Sequence, residues 1–133
     1  MTVGQRSASR HEVTIRVDEA QLKGDLVVPH GAASIVVFAN GSGSSRRSER
    51  NRFVAEMLHR SGFATLLLDL LTPEEEPIDH YTRRLRFDIP LLSSRLTNTV
   101  RWVSEQPETK GLRIGLFGAS TGAAAALTAA ADE

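Results

Sequence analysis

The chain has 133 residues, 41% hydrophobic and 24% charged, with 16 basic and 16 acidic side chains that leave no formal net charge. One domain's worth of chain can bury a core of useful size, and the balanced charge argues against non-specific nucleic-acid binding, which shows as a basic excess. The absence of cysteine excludes disulfides, thiolate metal sites and cysteine nucleophiles.

Residues 1–10 are small and polar and read as a disordered tail, and residues 11–133 as a single domain. No stretch approaches the roughly 18–20 apolar residues of a membrane span, so the expectation is a cytoplasmic protein that engages neither membrane nor nucleic acid. From His11 to Val17 apolar and polar residues alternate, the period of a half-buried strand. A polar break at Asp18-Glu19-Ala20-Gln21 and a second strand from Leu22 to Val28 make a hairpin, closed by a turn at Pro29-His30-Gly31. Ser34 to Ala39 is a continuous apolar run, as in a strand covered on both faces, and leads into Asn40-Gly41-Ser42-Gly43.

Residues 49–61 predict an amphipathic helix with Phe53, Val54, Met57 and Leu58 on one stripe and Gly62 as its cap. Ala64 to Leu68 is a further buried strand, reaching Asp69 at its carboxyl end. Residues 70–87, with Pro73, three consecutive glutamates and Pro77, read as a long exposed loop. Apolar residues return at helical spacing from Ile89 to Val103, and Pro107 stops that helix. Arg113 to Phe117 is the last strand. Helix–strand alternation after a hairpin predicts an α/β fold: a mostly parallel sheet of about five strands, an antiparallel N-terminal hairpin, and helices on both faces.

The last strand runs into Gly118-x-Ser120-x-Gly122 and then a run of small helix-forming residues. Strand, sharp turn and helix are the context in which G-x-S-x-G presents a nucleophile: the glycines allow the tight turn, and the helix start turns free N–H groups and a positive dipole end on the same place. The other reading of Ser120 is a binding turn of the kind seen in nucleotide-binding folds. The N–H of Thr121, which follows the serine, would be one oxyanion donor. Gly41 and Gly43 lie at the carboxyl end of the third strand, the edge where α/β folds bind ligands. Backbone N–H groups freed there suit a developing oxyanion, a phosphate, or simply a turn. No Walker A lysine follows, and the third glycine of a dinucleotide fingerprint is missing.

Asp69 ends a strand on that same edge and is a candidate to touch substrate or the catalytic loops. His80, beside Asp79 in the expected loop, is the histidine on the correct edge for a base, whereas His11, His30 and His59 fall elsewhere. Arg46, Arg47, Arg50 and Arg52, with Arg83, Arg84 and Arg86, read as a solvated surface or as contacts to an anionic substrate. Trp102 reads as core or interface. No metal or organic cofactor is implied.

In its order of elements, with Asn40-Gly-Ser-Gly after one strand, Leu-Leu-Leu-Asp69 ending the next and Gly118-Ala-Ser-Thr-Gly122 after the last, the chain resembles an α/β hydrolase and is similar to the dienelactone-hydrolase-like branch. The likeness covers residues 11–133 and the front half or so of such a domain, up to just past the nucleophile elbow; the later strands are missing. It implies that Ser120 is the nucleophile and that the N–H groups of Ser42 and Thr121 hold the oxyanion. Family members often carry His-Gly where this chain has Asn40-Gly41. The triad acid and histidine follow the nucleophile in such enzymes, in the order Ser…Asp/Glu…His. The expectation is therefore a serine hydrolase acting on a small carboxylic ester or lactone through an acyl-enzyme. A second polypeptide or a C-terminal half would supply the missing groups, and it or a homo-oligomer would cover the 113–117 strand edge. The alternative is a non-catalytic α/β binding or assembly module.

Overall fold

The computed structural model describes residues 8–40 and 45–119. Its strands are β1 (Ala8–Val17), β2 (Ala20–Pro29), β3 (Ser34–Asn40), β4 (Ala64–Asp69) and β5 (Arg113–Ala119), and its helices α1 (Glu49–Arg60), α2 (Glu75–Thr82) and α3 (Ile89–Glu105). Short 3₁₀ turns occupy Ser45–Arg47 and Leu85–Phe87. The sheet has five strands in the order β1-β2-β4-β3-β5. β1, β2 and β4 run antiparallel to one another in turn, whereas β4, β3 and β5 are parallel. The α/β architecture expected from the sequence is the one observed.

The boundaries differ in instructive ways. β1 begins at Ala8, three residues inside the stretch read as tail, because Ala8, Ser9 and Arg10 pair with Pro29, Val28 and Val27. The hairpin turn is only Asp18-Glu19, with Asp18 in the left-handed region (φ 55°) that aspartate tolerates better than most residues.

The larger correction concerns residues 70–87, which are not a plain exposed loop. Leu70 and Leu71 prolong the buried run of β4. Thr72 and Glu75 then cap each other: the Glu75 N–H donates to Thr72 Oγ1 (3.2 Å), and Glu75 Oε1 accepts from the Thr72 N–H (2.9 Å). This reciprocal pair opens a helix, and Pro73 falls where a missing N–H costs nothing. The prolines that suggested a loop are thus compatible with α2, which ends at Arg83 in the left-handed region (φ 58°).

Two cores form, one on each face of the sheet. α3 lays Leu92, Leu96 and Val103 over Ile35, Val37, Leu66 and Leu68, and Trp102 packs partly buried against this cluster. On the other face Ala55, Val54 and Leu58 of α1 pack on Phe38 and Leu67. The expected stripe of α1 is therefore rotated: Val54 and Leu58 turn inward, but Phe53 and Met57 remain 66% and 50% exposed. Such opposite placement follows from right-handed crossovers, because β3–α1–β4 and β4–α3–β5 progress in opposite directions across the sheet. β5 forms an edge of the described sheet, with β3 on one side, and Phe117 is 41% exposed.

Candidate functional site

The register of the three parallel strands fixes the geometry of their carboxyl edge. Asn40 of β3 lies level with Asp69 of β4 and with Ala119 of β5, and Ala39 lies level with Gly118. The two glycine- and serine-containing motifs therefore leave adjacent strands at the same height. Gly41, Ser42, Gly43, Ser120, Thr121 and Gly122 themselves lie outside the described residues.

Asp69 is 6% exposed and is held by Arg46. Arg46 Nε donates to Asp69 Oδ2 at 2.8 Å and its backbone N–H to Oδ1 at 3.3 Å. The same guanidinium turns Nη1 to Glu12 of β1 and comes within 3.5 Å of Asp25 of β2. Burial opposes the charge on Arg46, but its bonds to Glu12 and Asp69 outweigh that and raise its pKa. The hydrogen bond from Arg46 in turn holds the Glu12 carboxyl below the usual range. Arg46 is thus neither solvated nor free to meet a substrate. Asp69, expected as a candidate on this edge, is there, engaged with the loop that follows β3.

His80 lies on α2 rather than in a loop, and is exposed. Asp79, its sequence neighbour, is 1% exposed and committed to Arg86, which donates from its backbone N–H (3.0 Å) and from Nε (2.8 Å). Burial works to raise the Asp79 pKa, but these bonds prevail and lower it. Asp79 is therefore an anchor for the chain after α2, not an orienting acid for His80.

Glu76, one helical turn before His80, lines with it, Arg47 and Leu71 a cleft of about 470 Å³. Burial, assisted by the charge of Asp69, raises the Glu76 pKa. Local spacing carries no sign of this carboxyl's setting, because only the helical form of α2 puts Glu76 and His80 on one face. His59 is bonded through Nε2 to Thr65 Oγ1 (2.7 Å), on the early half of β4, away from the carboxyl edge. His30 sits exposed in the turn before β3. No cluster of three or more metal-binding side chains occurs among the described residues. Nor is any helix there long and apolar enough to cross a membrane.

Comparison with known proteins places this geometry. No family model matches the chain. Over 121 residues it is 56% identical to proteins from two strains of Mycobacterium tuberculosis, provisionally named phosphoribosyl transferases; the match covers 91% of this chain and 26% of theirs. Among solved structures it superposes on dienelactone hydrolase from Anabaena variabilis with a TM-score of 0.90 and 57% identity, covering 95% of this chain and 58% of that one. A cold-adapted esterase from an Arctic intertidal metagenomic library shares the fold at a TM-score of 0.71 and 14% identity, over 98% of this chain and 60% of its own. The chain thus spans little more than half of the hydrolase and about a quarter of the mycobacterial relatives it matches. It has the fold of the corresponding part of an α/β hydrolase and is similar over nearly all its length to dienelactone hydrolase.

Proposed function

We propose that the chain carries the nucleophile-bearing part of a serine hydrolase that cleaves a carboxylic ester or lactone through an acyl-enzyme. The observation that carries this reading is the shared register at the carboxyl edge: Ser120 is the residue after Ala119, Gly41 the residue after Asn40, and those two strand ends are paired. Ser120 Oγ would attack the substrate carbonyl while its proton passes to a histidine. The N–H groups of Ser42 and Thr121 would hold the oxyanion, and collapse would expel the alcohol, which takes the proton back. Water would then release the acid by the same route, with no metal or organic cofactor.

The histidine and its acid would come from a second polypeptide or from a C-terminal part. The same addition would cover the open edge of β5. We assign hydrolysis rather than phosphoribosyl transfer because the structural likeness at high identity is to a hydrolase, while the transferase name belongs to proteins of which this stretch is 26%.

A fluorophosphonate probe tests the assignment. Intact mass of the longest form of the protein, with any co-purifying chain, should show one adduct on Ser120 that is lost in Ser120→Ala. A folded protein that gains no adduct would favour the non-catalytic alternative.

A further inference from the structure

We propose that β1 is a self-recognition edge: two copies of the chain pair antiparallel along β1, about a two-fold axis at Thr14, and join their sheets into one. The interface lies at the opposite end of the sheet from β5 and does not depend on the chemistry proposed above.

β1 pairs with β2 along one side over its ten residues, Ala8–Val17, and no described strand lies along the other. Alternate residues on that open side turn their N–H and C=O groups outward, where a further strand can meet them. Charged side chains on an edge ordinarily discourage such pairing, and β1 exposes Arg10, Glu12 and Arg16 together with Thr14 on one face. What those charges do to a second copy depends on the register.

In an antiparallel pair, opposite residues either both turn their polar groups toward the partner or both turn them away. Two copies of one strand therefore set even-numbered residues against even and odd against odd. With Arg10, Glu12 or Arg16 on the axis, a charge meets its own copy. With Val13 there, Arg10 meets Arg16; with Ile15, Glu12 meets Asp18. With His11, Arg10 meets Glu12, but Ile15 and Val17 fall outside the overlap. With Thr14 on the axis every charge finds its opposite: Glu12 faces Arg16, and Arg10 faces Asp18 of the hairpin turn, each pair occurring twice by symmetry.

The other face of β1 favours the same register. Ile15 and Val17 are buried in the core under α3, and Val13 packs against it. With Thr14 on the axis, Val13 faces Ile15 of the second copy, so the two apolar rows continue into each other across the junction. Contacts within the chain leave the charges accessible. Glu12, which meets Arg46, has a side chain 57% exposed, and Arg10, which meets Glu56, one 55% exposed. Main-chain hydrogen bonds would supply the affinity, and the charges would choose the register.

The chain has no cysteine, so introduced thiols read the register directly. In the longest form of the protein, Thr14→Cys should give a disulfide-linked dimer under mild oxidation, because facing residues stand about 4.5–5.5 Å apart at Cα. Arg16→Cys alone should not, since its own copy lies four residues further along, roughly 13 Å away, but mixed with Glu12→Cys it should. In sedimentation equilibrium the dimer's dissociation constant should rise about 10–100-fold in Arg16→Glu. Adding Glu12→Gln, which removes the facing like charge, should recover part of that loss. Association through the exposed Phe53 and Met57 would be indifferent to both changes. A monomeric wild type overturns the interface, even where the edge serves a different protein. A dimer unmoved by Arg16→Glu, or one that crosslinks through Arg16→Cys alone as readily as through Thr14→Cys, overturns the register and with it the proposal.

Discussion

Arg95 and Glu75 meet fork to fork, Nη1 on Oε1 at 2.6 Å and Nη2 on Oε2 at 2.8 Å. The pair bolts α2 to α3, and Nη1 also donates to the Leu70 carbonyl at 2.8 Å, where the chain leaves β4. Arg95 is thus the connection that keeps the segment after β4 folded down onto the domain. Replacing it with methionine leaves the aliphatic stem but strands the Glu75 carboxylate and the Leu70 carbonyl. Breaking such a pair from one side costs more than the pair contributes, because a sheltered charge loses its partner. Arg95→Met should destabilise the protein by about 2–4 kcal/mol in urea titrations, less than the full buried-pair figure because Glu75 is a quarter exposed. Adding Glu75→Gln should recover part of that loss; strict additivity would contradict the coupling.

The acid response of the same region has a defined sign. The hydrogen bond from Arg95 lowers the Glu75 pKa against the opposing effect of burial, and Arg86 does the same for Asp79. A carboxyl with a depressed folded pKa contributes stability that is present above its unfolded value, about 4. That stability is lost as pH falls through the folded value. Glu76 works the other way: its raised pKa means that it takes up a proton more readily folded than unfolded, so acidification relieves a cost. Urea midpoints between pH 3 and 7 should therefore fall less steeply on the acid side in Glu75→Gln and Asp79→Asn than in the wild type, and more steeply in Glu76→Gln.

Much of the architecture was legible because the relevant signals are local. The buried runs 34–39 and 64–68 carry no charged residue, and the Gly62 cap stands where its φ of 90° requires a glycine. What escaped was decided by partners far along the chain. α2 hid behind Pro73 and Pro77 because the capping of Thr72 by Glu75 is invisible to hydrophobic periodicity. Arg95 lies next to the apolar stripe of α3, but the spacing of that stripe does not say that an arginine faces inward; its partner lies 20 residues upstream. Arg46 looked like one member of a basic surface cluster, and only the pairing of β1, β2 and β4 reveals three carboxylates waiting for it. The rotation of the α1 stripe has a similar origin. Phe53 and Met57 satisfy the amphipathic pattern as well as Val54 and Leu58, and packing chose between them.

That choice leaves apolar surface on one side of the sheet. Phe117 is 41% exposed while its ring sits 5.1 Å from that of Phe38, under the α1 face of the sheet. Phe53 and Met57 project from α1 on the flank away from Glu56 and His59, which reach toward β1 and β4. A right-handed crossover adding a parallel strand beyond β5 would run on the α3 face and leave this one open. The 133-residue chain purified alone should therefore self-associate. Sedimentation velocity should show Phe53→Glu/Met57→Glu shifting it toward monomer, whereas a monomeric wild type would show that the patch drives no association.

His59 predicts a second pH effect, distinct from that of the carboxylates. Burial lowers its pKa, opposed by Glu56 and assisted by Arg10. A histidine with a depressed folded pKa supports the fold fully only above its unfolded value, about 6.5. Stability then declines as pH falls from there to the folded value, because the unfolded chain takes up the proton first. Among the described residues Nδ1 is buried without a hydrogen bond, and the Glu56 carboxylate 3.8 Å away offsets the effect of burial only in part. His59→Gln, which can still bond Thr65, should flatten the stability profile between pH 5 and 7. An unchanged slope would locate the titration elsewhere.

Gly24 sits where β2 packs tightly against β4. A Cβ at this position would stand 2.8 Å from Leu66 Cδ1 and 3.3 Å from the Leu67 carbonyl oxygen. Leu66 is fully buried in the main core, so it cannot swing clear without displacing its neighbours. Gly24→Ala should therefore destabilise by about 1–3 kcal/mol, as overpacking of a dense core does, although alanine is otherwise easier to order than glycine. The two contacts differ in how far they can yield. Shortening the side chain with Leu66→Val removes the Cδ1 clash, while the Leu67 carbonyl belongs to the β4 backbone and stays. The double variant should consequently be less destabilised than the sum of the two single changes, without returning to wild type. Additive losses would show that the backbone contact alone carries the cost, and that β2 and β4 are held apart by their main chains rather than by Leu66.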